Sequence, residues 1–259
     1  MFKKVLKNAF LILVFLCISL FAFSQTSEST QNPVKHFGGA VTVTNNGISF
    51  IPSFNLGKPA AIFDLSMGGK KLTFEPQFRF ALEGKPWSIL FWWRYKLLTT
   101  EKFQVSVGAH PALSFRTNTF LADDISKEYI TVNRYLAGEF APNYSITKNI
   151  SVGIYYLYSY CMDVHAARNT NFISGRLNFS DIKLSKQYFL RFNPQVYYLK
   201  MGDLDGSYFS SSLTLARRNF PITVSSIINK VIKTEIPGKD FLWNVSLIYT
   251  FNNKYTKAQ

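Results

Sequence analysis

Phe241-Leu242-Trp243-Asn244-Val245-Ser246-Leu247-Ile248-Tyr249-Thr250-Phe251 carries a large apolar side chain at every odd position, while Asn244, Ser246 and Thr250 fall among the even ones. Side chains alternate across a β-strand, so one face of this segment is aromatic and apolar and the other mostly polar. The pattern recurs upstream. Leu72, Phe74, Phe78, Phe80 and Leu82 oppose Thr73, Glu75, Gln77 and Arg79. Trp87, Ile89, Phe91, Trp93, Tyr95 and Leu97 alternate with Ser88, Leu90, Trp92, Arg94 and Lys96. The segments 102–116 and 187–200 obey the same rule. A soluble sandwich also alternates, so the pattern alone does not name the solvent on the apolar side.

The N-terminus narrows the choice. Lys3, Lys4 and Lys7 precede an almost unbroken apolar run from Ala9 to Phe23, and Ala22-Phe23-Ser24 sets small residues at the −3 and −1 positions of a cut before Gln25. Residues 1–24 therefore read as a cleaved export signal, since the run is shorter than the ~20 residues a spanning helix needs. Leu16 before Cys17 argues against lipidation at that cysteine. Cys161 is then the one cysteine left, and a lone thiol makes no intrachain disulfide.

Composition agrees with a membrane strand protein. Phe and Tyr number 25 and 14, yet charged residues are 17% of the chain, as expected where apolar outward residues alternate with polar inward ones. No segment after the signal approaches the roughly 18 uninterrupted apolar residues of a helical span. The net charge of +14 points to lipopolysaccharide contacts or a cationic lumen; export makes nucleic acid a poor partner.

Twelve strands are expected, at 48–56, 61–67, 72–82, 87–97, 102–116, 129–146, 150–161, 171–180, 187–200, 207–218, 222–231 and 241–251. The gaps 68–71, 98–101, 147–149, 181–186 and 219–221 are short, and every long gap falls in the alternate set. Short turns at one end and long loops at the other is the arrangement of bacterial outer-membrane barrels. Loops 117–128, 162–170 and 232–240 are expected outside. Residues 25–47 read as a leader whose 37–45 stretch extends the first strand across a bulge or tucks into the lumen, 48–251 as the barrel and 252–259 as a tail. Pro52, Pro76, Pro111, Pro142 and Pro194 interrupt strand segments and predict local distortion.

The alternating strands, the signal ending Ala22-Phe23-Ser24-Gln25 and the aromatic last strand resemble outer-membrane β-barrel proteins of Bacteroidota. The resemblance implies an all-β fold, an antiparallel transmembrane barrel in the outer membrane, and contact with the barrel-assembly machinery, whose recognition pattern Tyr249 and Phe251 match. Ser246 stands where glycine is common, and residues 252–259 follow the aromatic end.

The lumen face is expected to carry Asp64, Glu75, Arg79, Arg94, Lys96, Arg116, Glu139, Arg176 and Arg191. Such a cationic excess suits a porin-like channel for small solutes, including anions. The alternative is a lumen closed by ion pairs, giving a structural or surface-interaction barrel. Trp87, Trp93, Tyr95, Trp243, Tyr249 and Phe251 share the outward parity and are expected at the lipid interface. A third reading, a lipid-modifying enzyme using His110 with Ser106 or Ser114, is opposed by the ~13 Å between strand positions four apart. No catalytic set, cofactor or metal site is expected. Asp163 with His165 offers too few ligands for a metal, and Asp203-Leu204-Asp205-Gly206-Ser207 reads as an Asp-Gly turn better than as a calcium loop. The oligomeric state is left open.

Overall fold

The seam of the sheet is made by residues near the two ends of the chain. In the computed structural model, β1 (Lys35–Thr44) lies antiparallel between β2 (Ala60–Gly68) and β12 (Phe241–Tyr255), with Val41 opposite both Phe63 and Tyr249. Between them run β3 (Leu72–Ala81), β4 (Pro86–Thr99), β5 (Phe103–Ala122), β6 (Ile125–Ser145), β7 (Ile150–Cys161), β8 (Asn169–Lys183), β9 (Tyr188–Met201), β10 (Leu204–Arg217) and β11 (Ile222–Thr234). Each pairs with its sequence neighbours, and the twelve close into one antiparallel barrel. The structure describes residues 35–122, 125–164 and 166–255, without the side chains of 53 and 120–127. The export signal, residues 25–34 of the leader and the last four residues lie outside these ranges.

The strand count is as expected, but the first strand is not. Residues 48–56 are no strand: they belong to a 45–59 connection that turns into the barrel and makes one 3-10 turn, Pro52–Phe54. The alternation of Ile48, Phe50 and Phe54 misleads because Ile51, on the other parity, is the buried residue, whereas Phe50 is partly exposed. A segment apolar on several sides needs enclosure, and Pro52 has no ladder donor. The 37–45 stretch is the true first strand. Gly39 is required there, because a Cβ at this position would lie 2.3 Å from the Asp64 carbonyl oxygen.

Short turns follow the even strands, at 69–71, 100–102, 146–149, 184–187 and 218–221, and the start of β1 and end of β12 share that end. Three other expectations change. The supposed loop 117–128 is mostly ladder, with Thr117 opposite Ile130 and Ala122 opposite Ile125. At ~3.3 Å per residue, the β5–β6 hairpin projects well past a bilayer span, which needs only ~9–11 residues. Residues 252–255 continue β12 rather than forming a tail. The turn near Asp205 falls at Gly202, with φ +62°, and Asp205-Gly206 is already in β10.

Pro76, Pro111, Pro142 and Pro194 each pair on one side only. Their partners are Phe91, Leu136, Val105 and Ser211, while the ladder on the opposite side skips them. The missing N–H breaks one side of the pairing and the strand continues.

The outer surface is the apolar parity. In β12, Trp243, Val245, Leu247 and Tyr249 are exposed, and Leu242, Asn244 and Ser246 are buried. Near the long-loop end, Tyr156, Tyr158 and Tyr198 donate to Asn171, Asn169 and Asp205 at 2.8, 2.8 and 2.9 Å, so outward rings carry tethered hydroxyls where an interface would lie.

Candidate functional site

Register decides which lumen groups meet. Arg94 in β4 lies opposite Gly108 in β5, and Gly108 opposite Glu139 in β6. Two strand spacings, roughly 9–10 Å, separate the outer pair. Glycine leaves the gap clear: a Cβ on Gly108 would lie 2.9 Å from Glu139 Oε1. Arg94 therefore reaches across β5, with Nε donating to Glu139 Oε1 at 2.6 Å. Its Nη1 donates to Glu75 in the other direction, and Thr73 Oγ1 donates to Glu75 Oε1 at 2.9 Å. Tyr155 in β7 completes the row by donating to Glu139 Oε2 at 2.7 Å. One guanidinium thus holds two carboxylates, and Glu139 is deeply buried.

Above this row, toward the long-loop end, Arg79 donates to Gln77 and Gln77 to Asp64. The Arg79 guanidinium lies 5.2 Å from the ring centre of Trp87. Trp87 was expected to face lipid, but it is buried and its Nε1 donates to the Phe54 carbonyl at 2.8 Å. The cause is a bulge: Arg79 pairs with Ser88 and Phe80 with Pro86, so Trp87 is the extra residue and turns inward beside Ser88. The other expected interfacial aromatics keep the outward parity. Trp93 is exposed against Phe74, 4.4 Å between ring centres, midway along β4; Tyr95 and Trp243 face out, and Tyr249 stacks on Phe251 near Phe37.

The opposite wall carries an apolar cluster. In it, Phe172, Tyr197, Leu199 and Tyr208 pack with Ile51 and Ile236 from the connections. Tyr197 stacks on Phe172 and Tyr208, with ring centres 4.8 Å away in each case. Its hydroxyl lies 3.0 Å from the Phe50 carbonyl oxygen and 2.9 Å from Asn229 Oδ1, so its single proton is shared between them. The inward connection is held on both sides, by Trp87 and by Tyr197.

What remains open runs down the β3–β5 wall as three cavities. The upper one, about 230 Å³, is lined by Lys58, Lys85, Trp87 and Arg116 and bounded below by Phe54 and Ser114. The middle one, about 280 Å³, shares Phe54 and Ser114 and contains Arg79, Ser88, Trp92 and His110, with Arg94 at its floor. The lower one, about 390 Å³, shares Arg94 and opens past Glu75 and Lys96 to Lys70 and His36.

The expected lumen residues thus separate. Glu75, Arg94 and Glu139 form one network, and Lys96, Arg79 and Arg116 line the lower, middle and upper cavities. Arg176 rests 5.3 Å from the Tyr155 ring centre. Arg191 is exposed on the far wall over Phe189. Gly108 and Tyr155 carry no signal in the sequence of their role beside Glu139, because it comes from cross-strand register. His110 packs on Trp92, 3.9 Å between ring centres, and its hydrogen bond goes to the Pro111 carbonyl at 3.3 Å; Ser106 Oγ donates to Ala141. The hydrolase pairing is not formed among the described residues. Asp163 binds Arg134 at 2.7 Å, His165 lies outside the described residues, and no group of three metal-ligating side chains converges among them.

No protein-family model and no curated protein matches this chain. Solved structures similar to it include a KdgM porin in complex with disordered oligogalacturonate, at 11% identity, covering 83% of this chain and 99% of that one, with a TM-score of 0.49. A NanC porin is similar at 12% identity over 85% and 100%, with a TM-score of 0.48. An outer membrane channel from Pseudomonas putida F1 is similar at 10% over 88% and 98%, also at 0.48. Identities this low leave the solute to the geometry of this lumen.

Proposed function

We propose that this chain is an outer-membrane, porin-like channel for small solutes, favouring anions, whose path descends the β3–β5 wall. The observation that carries the reading is the series of three cavities, each sharing lining residues with the next. Arg116, Arg79 and Lys96 mark successive levels, and none of them forms a salt bridge among the described residues. Arg94 contributes differently from what its sequence position suggested. With Glu75 and Glu139 on either side it is a paired group, not a free cation. The apolar exterior fits lipid and lipopolysaccharide, insertion would use the barrel-assembly machinery, and the export signal resembles those of Bacteroidota outer-membrane proteins.

The inward 45–59 connection favours a second reading, a barrel closed by its own segment. Planar-bilayer recording of the refolded protein separates the two. The channel reading expects small, anion-preferring conductance; a closed trace at every voltage rejects it. Lys96→Glu combined with Arg116→Glu is expected to lower the anion preference several-fold, and an unchanged reversal potential would remove both from the path.

A further inference from the structure

The middle cavity holds groups that its own walls do not satisfy. Arg79 Nε and Ser88 Oγ are both shielded from solvent without a hydrogen-bond partner, and Ser88 is only 7% exposed. Arg79 reaches an acid only indirectly, through the Gln77 amide to Asp64. Ser114, the cross-strand partner of Ser88, is buried beside it. Facing them across the cavity are flat apolar surfaces, with Phe54 and Tyr135 packed edge to face at 5.0 Å and Phe172 beyond, while Gln77, His110 and Arg94 complete the polar side. A buried donor without an acceptor is costly, and a cavity that pairs such donors with aromatic walls suits a ligand with one anionic end and one apolar body.

We propose that this cavity binds a small aromatic monocarboxylate, with its carboxylate on Arg79 Nε and Ser88 Oγ and its ring against Phe54, Tyr135 and Phe172. This rests on the reading of the β3–β5 wall as the solute path, and it names the solute class. The charge count selects a monoanion: Arg94 already holds two carboxylates, so a second negative group on the ligand would find no free cation within this cavity. An uncharged analogue would leave Arg79 without its anion. At about 280 Å³ the space equals roughly nine waters at ~30 Å³ each, enough for one ring and its substituent.

The test is calorimetric titration of the refolded, detergent-solubilised protein with benzoate, and with benzamide as the uncharged comparison. Saturable benzoate binding is expected, at least tenfold tighter than benzamide. Arg79→Gln should weaken benzoate about tenfold or more, equivalent to ~1.4 kcal/mol, and leave benzamide unchanged. Ser88→Ala, a smaller change beside the same carboxylate, should weaken benzoate by a lesser factor. Lys186→Gln, on an exposed turn at the short-turn end, should change nothing. Heat-modifiable migration on gels verifies that each variant is folded; if Arg79→Gln fails to fold, the Ser88→Ala and benzamide comparisons decide. Equal affinity for benzoate and benzamide, or no saturable binding of benzoate, overturns the site. A protein that conducts but does not bind benzoate loses this site and keeps the channel; one that binds benzoate but never conducts keeps the site and loses the channel.

Discussion

The two walls of this lumen solve the same problem by different means. Along β8–β10 the inward residues include an apolar cluster of Phe172, Tyr197, Leu199 and Tyr208, and the 45–59 connection lays Ile51 against it. Along β3–β6 the inward residues are Arg79, Trp92, Arg94, His110 and Glu139, joined by ion pairs and amide bridges. The apolar wall attracts the connection, because contact with it removes apolar surface from water. The charged wall can accept only partners that replace its hydration, so space stays open beside it. A path through this barrel is therefore asymmetric, and which wall bounds it follows from the inward residues of each strand.

The largest expected effect comes from breaking the charged wall. Arg94→Met leaves Glu139 buried beside Gly108 without its cation. Removing one partner of a buried pair costs about 3–5 kcal/mol. Denaturant unfolding in micelles should show that loss, and a second change, Glu139→Gln, should recover most of it. A double variant no more stable than the single would mean that Glu139 does not depend on Arg94.

Gly108→Ala tests the same row more gently. The added methyl would meet Glu139 Oε1 at 2.9 Å, and overpacking of this kind costs about 1–3 kcal/mol. The loss should shrink in the Glu139→Gln background only if the side chain at 139, released from its ion pair with Arg94, can move aside. On the apolar wall, Tyr197→Phe keeps the ring stack and removes the hydroxyl shared by Phe50 and Asn229. A net loss of about 1 kcal/mol is expected, together with faster hydrogen exchange in residues 48–56. Unaltered exchange there would show that this hydroxyl does not hold the connection.

These walls were unequally legible in the sequence. The strict alternation of Trp243 to Tyr249 and the short turns after even strands carry the barrel and its orientation, because both are local signals. The first strand was misplaced because Phe37 to Asn45 contains two glycines and few large residues, while Phe50, Ile51 and Phe54 look like sheet and serve as filling. Trp87 was turned the wrong way by one bulged residue, which reverses parity without altering composition. The Arg94–Gly108–Glu139 row was invisible in principle: its members are distant in the chain, and only the register aligns them.

The smallest effect sits outside the bilayer, where the outer ends of β3–β6 meet. Lys85 Nζ lies 2.5 Å from Glu128 Oε2, tying the β3–β4 turn to the projecting β5–β6 hairpin. Their hydrogen bond and mutual attraction raise the ammonium's pKa and lower the carboxyl's. The sign follows for each partner. Glu128 favours the folded contact above the ordinary carboxylate range and loses that contribution as pH falls through its depressed pKa. Lys85 contributes below the ordinary ammonium range and loses its share as pH rises through its raised one. The tether therefore holds across neutral pH and loosens at both extremes. Both groups are exposed, so Lys85→Gln should leave the unfolding midpoint unchanged within error. The sensitive observable is the Glu128 carboxyl itself, followed by carbon NMR in selectively labelled protein. It should titrate below the usual carboxylate range in the parent protein and return toward that range in Lys85→Gln. An identical titration in both would show that the hairpin stands free of the turn, leaving the upper cavity without this side.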